Sequence, residues 1–166
     1  APDAAAGVLY RRVPHAVLLC RHAHSPHPRP PTAIVQVFRL QRDDELRQAL
    51  QDAHPGVEVS GALARQLPEE LRRRGLDGAD RILSTVPWTL LPEHVMEREL
   101  DGVEAALRPG GRFVTLAYVH THAMKASKRL ENSLRRRFAT VTQSGVVWRN
   151  VPPGRWLVAE SPRRKL

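Results

Sequence analysis

Hydrophobic and polar positions alternate in short blocks along this chain, and the blocks predict an α/β protein. Two apolar runs that contain β-branched residues, at 16–20 and 33–40, have the character of buried strands. Beyond residue 40, strands predicted at 57–59, 81–86 and 112–119 alternate with helices predicted at 43–53, 68–75, 92–108 and 128–137. Strands that alternate with helices in this way predict a parallel sheet that is covered on both faces.

The C-terminal pattern differs and predicts an antiparallel pair. Strands predicted at 139–147 and 155–160 flank the turn residues Pro-Pro-Gly at 152–154. In the helix before them, Leu130, Leu134 and Phe138 recur at intervals of four and predict a face that packs on the sheet. We therefore expect a mostly parallel α/β sheet that ends in an antiparallel hairpin.

The first 40 residues have a different composition from the rest. They hold six of the 14 prolines and four of the eight histidines, with the run HSPHPRPP at 24–31 in the middle. Proline removes a backbone donor and clashes with the preceding turn, so no helix passes through that run. We predict an irregular Pro/His/Arg-rich segment at 1–40 and an α/β domain at 41–166.

Composition excludes several classes of protein. With 166 residues, of which 42% are hydrophobic, the chain has the size and core of a single domain. Its one cysteine, Cys20, cannot form an internal disulfide, and the histidines near it and at 120 and 122 match no zinc spacing, so no metal site is predicted. No apolar run reaches the length of a membrane span, and a cytoplasmic protein is expected.

The positive charge is concentrated at the C-terminus. The whole chain has a net charge of +9, and residues 125–166 contain eleven basic and two acidic residues. This cluster predicts attraction to nucleic acid or to an anionic membrane surface, although a merely solvated basic face has the same pattern. For a membrane, we expect Arg135, Arg136 and Arg137 to face the headgroups; for nucleic acid, Trp148 and Trp156 would add stacking surfaces.

Two stretches carry a resemblance to a known superfamily. ADRILSTVPW at 79–88 and ALRPGGRFV at 106–114 resemble the fourth and fifth strands of class I S-adenosylmethionine-dependent methyltransferases. The Ser-x-x-Pro-Trp ending of the first stretch, followed by Leu91-Pro92, is similar to bacterial phospholipid N-methyltransferases and, more distantly, to rRNA adenine dimethyltransferases. The resemblance covers about residues 37–160 and implies a Rossmann-like methyltransferase sheet that is incomplete at its N-terminus.

The resemblance also implies roles for particular residues. Pro87 and Trp88 fall at the catalytic position, where backbone carbonyls would accept a hydrogen bond from an amine and the indole would face a methylammonium group. Gln41, Leu63, Ala64 and Ser84 fall at positions that contact the cofactor, S-adenosylmethionine. The implied acceptor is a phospholipid headgroup or a small amine.

The chain departs from the family at its cofactor motifs. No Glu-x-Gly-x-Gly-x-Gly loop follows the first apolar run, Gln41 replaces the acid that binds the ribose, and Leu63 replaces the acid near the adenine. We therefore expect weak or absent cofactor binding, and an inactive chain is one interpretation. A non-catalytic basic module that binds nucleic acid or membranes is the alternative. The composition of residues 1–40 suggests an altered reading frame or a wrongly assigned start.

Overall fold

A computed structural model describes residues 17–22, 35–119 and 125–163 of the chain. Its strands are β1 Val17–His22, β2 Val35–Leu40, β3 Glu58–Ser60, β4 Ala79–Ser84, β5 Leu107–Tyr118, β6 Phe138–Gln143 and β7 Gly154–Pro162. Its helices are α1 Asp44–Ala53, α2 Leu67–Arg73, α3 Glu93–Ala106 and α4 Lys125–Arg137, with short 3-10 helices at Ala64–Gln66 and Trp88–Leu90. The Pro-rich run at 24–31 lies outside the described residues.

The helices begin and end where the sequence provides the signals. The Asp43 carboxylate caps α1 by accepting a hydrogen bond from the backbone N–H of Leu46 at 3.0 Å. A proline in the first turn and two following glutamates start α2, which is followed by Gly75 in the left-handed region at φ +67°. Pro92 precedes α3, but this helix ends at Ala106, before the Pro-Gly-Gly run that was expected to end it. That run instead belongs to β5.

All seven strands of the described residues form one sheet in the order β3-β2-β1-β4-β5-β7-β6. β2 pairs in parallel with β3, and β4 with β5, while β7 runs antiparallel between β5 and β6. The strands β2 to β6 all point the same way, whereas β1 and β7 point the opposite way. The predicted mostly parallel sheet with an antiparallel hairpin is confirmed.

The alternation of strands and helices predicted parallel strands in the N-terminal half, but this is wrong for β1, which is antiparallel to both of its neighbours. Parallel neighbours need a crossover of a dozen or more residues, usually with a helix, and only the proline-rich residues 23–34 join β1 to β2. Val17, at the start of β1, lies between Leu40 and Ser84, the last residues of β2 and β4. The carboxyl end of β1 therefore points away from the carboxyl ends of β2 and β4.

The core lies between the sheet and the helices α2, α3 and α4. Phe113 in β5 stacks on Phe138 at a centroid distance of 6.3 Å and receives the edge of Trp88 at 5.8 Å. Leu130 and Leu134 of α4 and Phe138, the first residue of β6, are all buried, so the predicted packing face is confirmed although Phe138 lies just beyond the helix. No helix among the described residues is both long and apolar enough to cross a bilayer. The strands predicted within 1–40 join this sheet, and the division at residue 40 stays a prediction.

Candidate functional site

A cleft of about 330 Å³ opens at the carboxyl ends of β4 and β5. One wall is the turn after β4 and its 3-10 helix, the floor is the end of β5, and the other walls are α4 and the start of β7. Its lining includes Trp88, Leu90, Tyr118, Leu130 and Glu131. In open α/β sheets, ligands bind outside the carboxyl ends of the strands, so this is the position in the fold where a substrate is expected.

Ser84 and Trp88 form one rigid unit at the end of β4. The Ser84 hydroxyl oxygen lies 3.2 Å from the indole Nε1 of Trp88 and 3.2 Å from the backbone nitrogen of Val86, and accepts from both. The indole is buried and packs edge-on against Phe113. The Ser84 hydroxyl and the indole N–H are thus hydrogen-bonded to each other within the cleft wall.

The carbonyls expected to receive an amine have partners already. The backbone N–H of Leu90 donates to the Pro87 carbonyl at 2.9 Å, and that of Leu91 donates to the Trp88 carbonyl at 3.2 Å. These bonds form the 3-10 turn that places Pro87 and Trp88 in the cleft wall. The catalytic roles of Pro87 and Trp88 stay predictions, as does the cofactor contact of Ser84.

Glu131 is a carboxylate in the cleft that the sequence interpretation did not single out. It lies on α4, its side chain is 23% exposed, and it forms an ion pair with Arg135 at 2.5 Å. It is also the only acidic residue between 125 and 159. An acid within an otherwise basic helix, one position after the inward-facing Leu130, was the signal available in the sequence.

Gln41 lies at the carboxyl end of β2, where the resemblance places a cofactor contact. It is buried, its backbone N–H donates to the Ser60 carbonyl at 2.8 Å, and its side-chain Oε1 accepts from the Asp43 N–H at 3.2 Å. Its side-chain oxygen therefore supports the start of α1. The neighbouring start of β1 replaces the strand end from which a glycine loop would follow.

Leu63 and Ala64 directly precede Arg65, whose contact with α3 the sequence did not predict. Glu99, buried on α3, accepts from the Arg65 backbone N–H at 3.0 Å and from its guanidinium at 2.8 Å. One turn later, Gly102 lies so close that a Cβ atom there would be 2.2 Å from the Arg65 Cα. The signal was an acid on the apolar face of a predicted helix. Leu63 and Ala64 thus lie beside α3, and neither residue lines the cleft.

Two of the three arginines at the end of α4, Arg136 and Arg137, pair with acids of α3, whereas all three were expected to face a membrane. Arg137 is only 12% exposed and pairs with Glu97 at 2.7 Å and Asp101 at 2.6 Å, and Arg136 pairs with Glu97 at 2.9 Å. Burial would lower the pKa of Arg137, but hydrogen bonds and charges from Asp101 and Glu97 raise it. Arg136 and Arg137 therefore hold two helices together, whereas Arg135 pairs with Glu131 of its own helix.

The histidine cluster of the N-terminal segment provides no described site. His24 and His27 lie outside the described residues, as do His120 and His122. Within the part of the chain that the structure describes, no three His, Cys, Asp or Glu side chains come close enough to hold a metal ion.

No family model and no curated protein sequence matches the chain, but solved structures do. TrmN from Thermus thermophilus is 24% identical over 75% of this chain, with a TM-score of 0.54. Magnesium protoporphyrin IX methyltransferase from Synechocystis PCC 6803, solved with bound S-adenosylmethionine, is 11% identical over 75%, with a TM-score of 0.54. A SAM-dependent O-methyltransferase from Thermotoga maritima is 13% identical over 78%, with a TM-score of 0.51.

The chain has the Rossmann-like α/β fold of these three proteins. This Rossmann-like fold was the one implied by the two sequence stretches at 79–88 and 106–114, and it is confirmed. The matches cover 36%, 58% and 51% of the three chains in the order given, so this chain spans about a third to three-fifths of their length. At these identities the likeness concerns the fold.

Proposed function

We propose that the chain belongs to an S-adenosylmethionine-dependent methyltransferase and that the cleft beside Trp88 holds an amine acceptor. The observation that carries the proposal is the position of the cleft, at the carboxyl ends of β4 and β5 in a methyltransferase fold, with a carboxylate and two aromatic residues in its wall. The phospholipid N-methyltransferase resemblance of residues 79–92 names the acceptor class. It is the amine headgroup of a phospholipid, or a small amine of the same chemistry.

The chemistry of the cleft suits a cation. Leu90, Leu130 and Leu157 make the wall largely apolar, and Glu131 is its carboxylate. A carboxylate with reduced access to water attracts an ammonium group more strongly than an exposed one does, and aromatic faces add cation–π attraction. Arg135 holds one oxygen of Glu131, which fixes the carboxylate in place. The same carboxylate disfavours an anionic acceptor.

When bound, S-adenosylmethionine supplies an activated methyl group. The residues implied to hold it, Gln41, Leu63, Ala64 and Ser84, form only part of such a site. Gln41 lacks the charge of a carboxylate and uses its oxygen at the start of α1, and the Ser84 hydroxyl accepts from Trp88. The start of β1 occupies the edge where the resemblance implies a glycine loop. We therefore expect weak cofactor binding, and we assign acceptor binding and orientation to the described residues.

The acceptor site is tested separately from the cofactor site. The full chain is titrated with monomethylethanolamine while the indole N–H signal of Trp88 is followed by NMR. Because Glu131→Gln removes the charge but keeps the shape, we expect about tenfold weaker amine binding. Glu93→Gln, an exposed acid on α3 that pairs with Arg129, is the matched control and should have no effect. Equal binding by both variants contradicts the proposed acceptor site.

Isothermal titration with S-adenosylmethionine tests the cofactor half. We expect little or no heat at low-micromolar ligand, because in-line methyl transfer requires positioning contacts that the described residues supply only in part. Binding with low-micromolar affinity would show that the missing loop is replaced by other residues. That result would leave the acceptor test unaffected.

A further inference from the structure

The exposed apolar side chains are concentrated at one edge of the molecule. Among the described residues, five large hydrophobic side chains are strongly exposed: Leu46, Leu90, Val147, Trp148 and Val151. Leu90 lines the cleft, and Val147, Trp148 and Val151 lie on the segment that leads to Pro152, another lining residue. Trp148 and Val151 are 72% and 93% exposed. We call Leu90, Val147, Trp148 and Val151 the apolar rim. Scattered single exposures are normal, but four at one edge mark an interaction surface.

Hydrogen bonds fix the segment between β6 and β7 that carries most of the rim. The Val147 N–H donates to the Gly154 carbonyl at 2.8 Å, and the Val119 N–H donates to the Pro153 carbonyl at 3.0 Å. The Asn150 N–H closes a turn on Val147 at 3.3 Å. The tip at 148–151 is thus held beyond the end of β5. A hydrogen-bonded turn thus holds its hydrophobic residues in solvent.

The charge around the rim is positive. No acidic residue occurs from 138 to 159, and Arg149 lies within the rim segment itself. Lys125, Lys128 and Arg149 are exposed and form no ion pair within the described part of the chain. Apolar tips flanked by free cations complement a surface that has anionic headgroups above a hydrocarbon layer.

We propose that the apolar rim docks on an anionic lipid bilayer, with Trp148 and Val151 at headgroup depth and Lys125, Lys128 and Arg149 over the lipid phosphates. Three of the four rim side chains are aliphatic, which suits hydrocarbon better than the stacked bases of nucleic acid. The docking proposal does not depend on whether the chain transfers a methyl group. Resting on the proposed function, it would place the mouth of the cleft against the membrane, where a lipid headgroup can enter.

The test measures co-sedimentation of the full chain with phosphatidylcholine vesicles that contain or lack phosphatidylglycerol. We expect binding only to the anionic vesicles, weakened by added salt, and a blue shift of Trp fluorescence that Trp148→Ser abolishes. Trp148→Ser and Val151→Ser should each lower the partition coefficient by about tenfold or less, and together by more, because each removes buried apolar area. Leu46→Ser, the exposed apolar residue on α1, is the matched control.

Three results would overturn the proposal. The first is no sedimentation of the unsubstituted chain with anionic vesicles. The second is equal loss in Leu46→Ser and the rim variants. The third is concentration-dependent dimerisation or RNA binding that the rim variants abolish while vesicle binding is unchanged. Circular dichroism of each variant separates loss of docking from loss of folding, and vesicle binding without amine binding would reject only the proposed acceptor site.

Discussion

Helices α1 and α3 are both amphipathic, but they contribute very differently to the fold. None of the ten residues of α1 is buried, and Gln51 ties this helix to the β3 region through hydrogen bonds with the Val57 carbonyl and the Val59 N–H. In α3, Met96, Glu99, Leu100, Gly102, Val103 and Ala106 are all buried. The half of the sheet that builds the cleft thus lies on the main core, while the half implied to hold the cofactor carries a lightly attached helix.

The packing that stabilises the chain and the edge implied to hold the cofactor thus lie in different halves of the sheet. The cleft wall at β4 and β5 is part of the same packing as Phe113 and Phe138, so it persists as long as the fold does. Leu40 and Gln41 at the end of β2 are buried as well, but α1, which follows them, contributes no buried residue. Sequence changes in α1 would therefore alter this edge of the site before they alter folding.

The largest effect is expected from removing a core side chain of α3. Leu100 is fully buried, so Leu100→Ala leaves a cavity and should destabilise the chain by about 2–5 kcal/mol. Leu46 on α1 is 40% exposed, and Leu46→Ala should change stability by about 0.5 kcal/mol or less. The free energy of unfolding in urea measures both. Similar losses in the two variants would mean that α1 and α3 contribute equally to stability, contrary to this prediction.

A smaller effect is expected where α4 joins α3. Arg137→Ala leaves Glu97, Asp101 and Glu104 without their shared, mostly buried cation and should cost about 1–3 kcal/mol. Arg135 is 55% exposed, and Arg135→Ala should cost about 0.5 kcal/mol or less. Urea midpoints of the two variants decide between a structural and a solvated role. A near-neutral Arg137→Ala would restore the interpretation of this run as a free basic face.

The sequence predicted most of the fold because its local signals agree. Prolines, glycines and paired acids mark the ends of α1, α2 and the start of α3, and the spacing of Leu130 and Leu134 fixes the inner face of α4. The direction of β1 was not predictable in this way, because an apolar run is the same in a parallel and an antiparallel strand. It depends on the connection at 23–34.

The site was less predictable because it depends on contacts between distant residues. The resemblance brought Pro87 and Trp88 to the cleft, but their carbonyl and indole partners come from the local turn geometry. Glu99 acts on a backbone N–H that is 34 residues away in sequence, and Arg137 meets an acid 36 residues away. No local pattern separates such inward charges from a solvated face.

The smallest effect concerns Glu70 on α2, which joins this helix to the end of β3. Its carboxylate accepts from the Ser60 hydroxyl at 2.7 Å and pairs with Arg74 at 2.9 Å. Burial would raise the pKa of Glu70, but the hydrogen bonds from Ser60 and Arg74 and the charges of Arg74 and Arg73 lower it below its ordinary value of 4.5. A carboxyl whose pKa is lower in the folded state stabilises the fold above its unfolded pKa. This contribution is lost as the pH falls through the folded pKa.

Glu70→Gln should therefore destabilise the chain at neutral pH by about 1 kcal/mol, because the ion pair with Arg74 is lost while the Ser60 hydroxyl keeps an acceptor. The difference from the unsubstituted chain should shrink as the pH falls below about 4.5 and through the lower pKa of the folded carboxyl, where the native carboxyl also becomes protonated. Glu69→Gln, an acid of the same helix that is 45% exposed, should show a smaller and flatter difference. Urea midpoints across this pH range measure it. A Glu70→Gln difference that stays constant with pH would mean that its charge does not link β3 to α2.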